Sequence, residues 1–263
     1  MAIFFNNNQK FKKTAFTLSE TLITLTIIGV IAVIAVPNII RRINDTQQVV
    51  ALKKAYAMLD NAINNAYVIE GSPLEWDDTG ETSGRAYTEF GYVLIKYLPT
   101  EDYRTYGCCS HSNFFSRKYG YPGAEYNGYY RKYKTLDGRI GDFIEGNYGF
   151  PIKLKNGMYI THIGLADDFS LVRANRREQF GIAEIRIDIN GIKGPNRYGY
   201  DVFSFTIDDS GLSLKSTYKT SKPEYCNMNN TSLDVKYSGL SCGYWVLRHN
   251  NMDYKYKDVS SEW

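Results

Sequence analysis

FTLSETLITLTIIGVIAVIAVP, residues 16–37, is an apolar run carrying a single carboxylate, Glu20, near its start. Crossing a hydrocarbon core takes about 20 mostly apolar residues, and the stretch from Phe16 to Val36 supplies them. A carboxylate in such a segment costs roughly 2.5 to 3.5 kcal/mol near the helix centre. Near one end the cost is smaller, but Glu20 still calls for a partner. A short basic leader, MAIFFNNNQKFKKTA, precedes the run and sets Lys10, Lys12 and Lys13 close to its boundary. A secretory signal peptide has a shorter apolar core that ends in a small-residue cleavage site. This core is too long, and Ala35-Val36-Pro37 is a poor site of that kind. A plain signal anchor accounts for the length and the leader, yet gives no reason for Glu20. Charge counting does not orient the span, because Arg41, Arg42, Lys53 and Lys54 on the far side balance the leader lysines.

Beyond Pro37 the pattern stays helical but becomes amphipathic. Ile39, Ile43, Val49, Leu52, Tyr56, Leu59, Ile63 and Ala66 recur at three- and four-residue spacing. Arg42, Asp45, Gln48, Lys53, Asp60 and Asn64 take much of the other side. Pro37 removes one backbone hydrogen bond and is expected to kink the helix. The pattern fades by Gly71, which argues against a coiled-coil stalk. The remaining residues, about 190, suffice for one real core. Residues 71–150 read as a loop-rich region, with a short helical piece around Glu89 to Tyr97. Strand candidates follow at Gly157 to Leu165, Gly181 to Ile189, Asp201 to Ile207, Leu212 to Ser216 and Gly243 to His249. Ala183, Ile185, Ile187 and Ile189 alternate with Glu184, Arg186 and Asp188, the period of a half-buried strand. Turn signals between these short runs favour an antiparallel sheet.

The residues Ala15, Phe16, Thr17, Leu18, Ser19 and Glu20, followed by Thr21 and Leu22, resemble the processing motif of the type IV pilin and type II secretion pseudopilin family. The resemblance implies a prepilin peptidase that cuts between Ala15 and Phe16 and methylates the new amino terminus. Pro37 also matches, since many members carry a proline about one membrane span after the cut. Ala15 departs from the glycine usual before the cut, and slower or paralogue-specific processing is expected. In the family the motif glutamate is thought to pair with the terminal amine of a neighbouring subunit. Glu20 stands at i+4 from Phe16, and a buried carboxylate is costly unless paired. Subunits in register would relieve a penalty that misregistered ones keep.

DINGIKGPNRYGYDVFSF, Asp188 to Phe205, is similar to a glycine-rich segment common in pilin-like proteins. In major pseudopilins a loop in this general region binds calcium. Asp188, Asn190 and Asp201 are oxygen donors of the sort a hard cation takes, but their spacing is not that of an EF-hand. The alternative carries more weight: Asp188 and Asn190 cap turns, while Gly191 and Gly194 supply positive φ. Four cysteines allow three pairings. The resemblance favours Cys226 with Cys242, because pilins commonly close a C-terminal loop this way. The adjacent Cys108 and Cys109 could pair with each other or elsewhere.

Catalytic signals are poor. His111, His162 and His249 stand apart, with no HExxH, GxSxG, GxGxxG or P-loop signature. The formal net charge is +3, and the basic clusters Arg117-Lys118, Arg131 to Lys134, and Arg173, Arg176 and Arg177 read as solvated loops. Nucleic acid is not an expected partner. The sequence therefore leads to an α+β, pilin-like chain: leader 1–15, membrane or filament-core helix 16–37, amphipathic helix half 38–70 and globular head 71–263. The expected function is a structural subunit of a type IV pilus or type II secretion-like pseudopilus, with no enzymatic activity and no cofactor beyond the calcium considered above. Expected partners are the prepilin peptidase, other pilin or pseudopilin subunits, an inner-membrane assembly platform and membrane lipid. The expected location is the inner membrane, single-pass, with the head in the periplasm or outside the cell, or a surface filament. The alternative is a membrane-anchored module that never polymerises and offers its Tyr-rich head to glycan or peptide ligands.

Overall fold

A computed structural model describes residues 17–73, 76, 91, 93–100, 134–139, 152–165, 183–191, 193–208, 210–213, 223–230 and 238–263, with backbone alone at 152 and 162–165. The chain divides into two compact units, Met1–Asn44 and Asp45–Trp263, and one helix, α1 (Leu18–Glu70), contributes to both.

In the first unit α1 presents apolar side chains to the outside at almost every position. Leu18, Leu22, Ile28, Ile31 and Ile34 are all more than half exposed, and none of the most apolar window is buried. By length and composition this is a helix able to cross a membrane. Pro37 lies inside α1, and the helix continues through it. The Asn38 side-chain amide donates to the Ile34 carbonyl at 3.2 Å, one turn back.

The second unit is an α+β head. Its antiparallel sheet has the order β1-β2-β3-β4-β5: β1 (Ile152–Lys153), β2 (Tyr159–Leu165), β3 (Ala183–Asp188), β4 (Val202–Asp208) and β5 (Gly211–Ser213). Each neighbouring pair is antiparallel. Register pairs Ile185 with Phe205, Ile187 with Phe203 and Ala183 with Ile207, so these side chains share one apolar face. Val49, Leu52, Ala55, Leu59, Ala62, Ile63 and Ala66 of α1 are buried in the same core as that face. The Tyr56 ring meets Phe205 edge-on at 5.4 Å, and its hydroxyl donates to the Leu212 carbonyl at 3.2 Å. The opposite face carries Glu184, Arg186, Ser204 and Thr206. There Arg186 grips Glu184 with two N–H···O bonds of 2.7 and 3.1 Å, and Ser204 donates to the same carboxylate.

Among the helices and strands the structure departs from the sequence reading in three places. Ile39 and Ile43, taken as part of the head-packing stripe, are 55% and 50% exposed, and burial of α1 begins only at Val49. Gly243 to His249, read as a strand, is helix α2 (Cys242–His249), closed by Asn250 in the left-handed conformation with its N–H on the Val246 carbonyl. A short apolar run cannot separate buried helix from strand, and the buried set Cys242, Gly243, Trp245 and Val246 follows helical spacing. The short β1 was not foreseen. The helical piece near Glu89 to Tyr97 is seen at 93–97, and strands form at 159–165, 183–188, 202–208 and 211–213 close to their expected places.

Leu59 is fully buried at the middle of the α1 stripe. Leu59→Ala should cost about 2 to 5 kcal/mol through lost transfer energy and the cavity left behind. Chemical denaturation of the full chain in detergent would measure it as a lower midpoint with an unchanged slope.

Candidate functional site

The N-terminal end of α1 is built around Thr17 and Glu20. The Thr17 backbone N–H and hydroxyl each donate to Glu20 Oε2 at 2.8 Å, and the Glu20 N–H donates to Thr17 Oγ1 at 3.2 Å. This reciprocal pattern is a capping box, in which two orphan donors at a helix start satisfy each other's side chains. Thr21, Thr24 and Thr26 turn their hydroxyls back onto helix carbonyls, so the polar groups of this apolar segment are satisfied locally. The T-x-x-E spacing could have disclosed Thr17 as the partner of Glu20. Ala15 and Phe16, the expected cut site, lie outside the described residues, as do Cys108, Cys109 and His111.

A second cluster forms in the loop between β3 and β4. Asp188 and Asp201 are both fully buried. Asp201 Oδ1 accepts the Arg197 N–H at 2.6 Å, while Oδ2 accepts the Asn196 N–H at 2.8 Å and the Asn190 side-chain amide at 3.1 Å. Asp188 Oδ1 accepts the Asn190 N–H at 3.1 Å. The three residues expected to sit together do so. Burial pushes the Asp201 carboxyl up, and the N–H donors of Arg197, Asn196 and Asn190 pull it back down. Both Asp201 oxygens serve N–H groups, and the Asn190 amide turns its nitrogen toward them. Among the described residues no group of three or more His, Cys, Asp or Glu side chains is gathered for a metal. The hydrogen bonding matches the turn-clamp reading of this loop, and no calcium chemistry is derived from it. Gly191 has the expected positive φ, +72, but Gly194 does not; Asn196 does, at φ +51.

Asp201→Asn should therefore destabilise the head by about 1 to 3 kcal/mol, because one amide oxygen cannot accept from donors on both sides. Thermal unfolding with and without calcium checks this. The clamp predicts a lower Tm for the variant and no calcium effect on either protein, whereas a cation would raise the wild-type Tm alone.

The C-terminal segment closes the head. Cys226 and Cys242 form a disulfide with Cα atoms 5.0 Å apart, the pairing that the resemblance implies. Gly199 passes directly beneath it with φ +75, and a Cβ there would meet Leu136 Cδ1 at 2.8 Å and Cys242 Sγ at 2.9 Å. Only glycine allows that approach. The buried Tyr254 hydroxyl donates to the Gly199 carbonyl at 2.6 Å, and burial holds its phenol well above the usual range. In α2 the His249 ring stacks on Trp245 with centroids 3.8 Å apart, and Tyr244 stacks on Trp263 at 5.2 Å.

Next to Tyr254, the Lys255 side chain is 3% exposed. Its Nζ donates to Asp45 Oδ1 at 3.0 Å and to Gln48 Oε1 at 2.6 Å, both on α1, and sits 4.3 Å from the centre of the Tyr200 ring. The Tyr256 hydroxyl takes the other Asp45 oxygen at 2.8 Å. Burial pushes the Lys255 amine below its ordinary value, while Asp45 holds it partly up. No local sequence signal marks this cluster, because its members lie 207 and 210 residues apart. Of the basic groups read as solvated loops, only Lys134 falls among the described residues, and it is exposed. Comparison with family models, with curated proteins and with solved structures finds none that matches this chain.

Proposed function

We propose that the chain is a structural subunit of a type IV pilus or a type II secretion-like pseudopilus. In this reading it is cut before Phe16 by a prepilin peptidase, and it is held in the inner membrane until α1 enters a filament of like subunits. The observation that carries the reading is the form of α1. An exposed apolar surface from Leu18 to Ile43 carries Glu20 near its start, and an α+β head is closed by a disulfide. Such a surface needs lipid or other helices around it, and a disulfide fits an exported head. The proposed role is structural.

The capping box favours a second reading. Thr17 gives Glu20 a partner within its own helix, so an anchored module that never polymerises also has a use for this carboxylate. Processing separates the two. The full chain in membranes, incubated with the peptidase, should yield a product beginning at Phe16, and Ala15→Gly should raise the rate several-fold. A chain that stays uncut in both forms would leave the anchored module as the better account.

A further inference from the structure

The buried cluster of Lys255, Gln48 and Asp45 holds the parts of an amide-forming site. An amine, a carboxamide and a carboxylate meet within hydrogen-bond distance in a place largely shielded from water. Nζ lies 2.6 Å from the Gln48 carbonyl oxygen and 3.0 Å from Asp45 Oδ1. The amine side chain is 3% exposed and the carboxylate 20%. The Tyr200 ring and Met252 sulfur occupy other sides of Nζ, at 4.3 Å to the ring centre and 3.2 Å to the sulfur. The geometry points to an intramolecular isopeptide bond between Lys255 Nζ and Gln48 Cδ, formed by the folded chain itself, with Asp45 moving the proton.

The step balances without any co-reactant. Asp45 takes a proton from the Lys255 ammonium, and the freed lone pair on Nζ attacks Gln48 Cδ. The protonated Asp45 then delivers that proton to the departing side-chain nitrogen. The Cδ–N bond of glutamine breaks as the new C–N bond forms, the second Nζ proton passes by way of Asp45 to the released ammonia, and ammonium leaves past the partly exposed carboxylate. Nothing is oxidised or reduced. Burial serves the reaction twice. It disfavours the charged amine and so eases its deprotonation, and it keeps out the water that would hydrolyse the amide instead. Holding both reactants in one fold replaces a bimolecular encounter by a positioned one. The Tyr256 hydroxyl on the second Asp45 oxygen fixes the carboxylate in place.

The bond would join α1 to the C-terminal segment and close nearly the whole head into one covalent loop. That suits a head that must stay fixed to its helix, and the chemistry does not depend on the filament reading. The test is the intact mass of the purified, reduced full chain, followed by protease mapping. The expected result is a mass one ammonia below the sequence value, with a branched peptide that links the segments bearing Gln48 and Lys255. Lys255→Arg keeps a cation without a primary amine and should restore the full mass, and Asp45→Asn should leave the bond largely unformed. An unmodified mass in the native chain overturns the inference. Loss of water in place of ammonia also overturns it, since Asp45 would then be the acyl donor. Loss of ammonia without a branched peptide counts against it equally.

Discussion

Glu20→Gln subunits should be cut and held in the membrane normally yet enter filaments about tenfold less well than the parent. A carboxylate at a helix centre costs roughly 2.5 to 3.5 kcal/mol, with about 1.4 kcal/mol for each tenfold in an equilibrium, and the effect expected here is smaller because Glu20 lies near the end of the span and is already capped by Thr17. In the proposed filament, a terminal amine on a neighbouring copy removes that cost only when the subunits are in register. Glutamine cannot form the ion pair, so correct and shifted registers become nearly equal. The substitution is chosen because of the capping box. Glutamine serves at this position as well as glutamate, so the Thr17 N–H keeps an acceptor and the helix start survives. Thr17→Ala is the complement. It removes the cap, at about 0.5 to 2 kcal/mol, but leaves the carboxylate and should leave incorporation close to normal. Quantifying each variant in sheared and membrane fractions reads out both. If Thr17→Ala lost incorporation and Glu20→Gln kept it, capping would be the function of Glu20 and register would not.

Removing the disulfide should be the largest single loss in the head. Replacing Cys226 and Cys242 with serine frees a loop closed across a sequence separation of 16, which the chain-entropy model values at about 3 kcal/mol, within a usual range of 2 to 5. The native state loses as well. Both half-cystines are fully buried, Gly199 lies against Cys242 Sγ, and two serine hydroxyls would enter an apolar setting. The expected readout is a Tm lower by many degrees and a head that proteases open at ordinary growth temperature. Reduction of the parent protein should reproduce the loss without any mutation. A Tm within a degree or two of the parent would mean that packing of Trp245 and Tyr254 holds the segment by itself.

How much of this was legible in the sequence depended on whether the signal was local. The apolar run at 16–37 and the alternation at 183–189 are periodic patterns within one element, and both appear where expected. The stripe on α1 was read correctly from Val49 onward. It was extended too far toward the N-terminus because Ile39 and Ile43 continue the spacing but remain half exposed. Gly243 to His249 was misread because a run of seven residues fits either period, and the disulfide at Cys242 together with the left-handed Asn250 decided for a helix. The loop at 188–201 was placed correctly, but which atoms face Asp201 is a matter of backbone direction, which residue types do not encode. The Lys255 cluster was invisible, since it needs two segments about two hundred residues apart to be folded together. Thr17 was a missed opportunity: its capping-box spacing was there to read.

The N-terminal chemistry of the chain, taken from membranes and from sheared surface or periplasmic material, tests the central claim most directly. Intact mass and N-terminal sequencing should find a chain that begins at methylated Phe16 in both fractions, which requires cutting after Ala15 and assembly through α1. A chain that keeps Met1 to Ala15 and stays in the membrane fraction would contradict the filament account, and would make the apolar helix an anchor for the head alone.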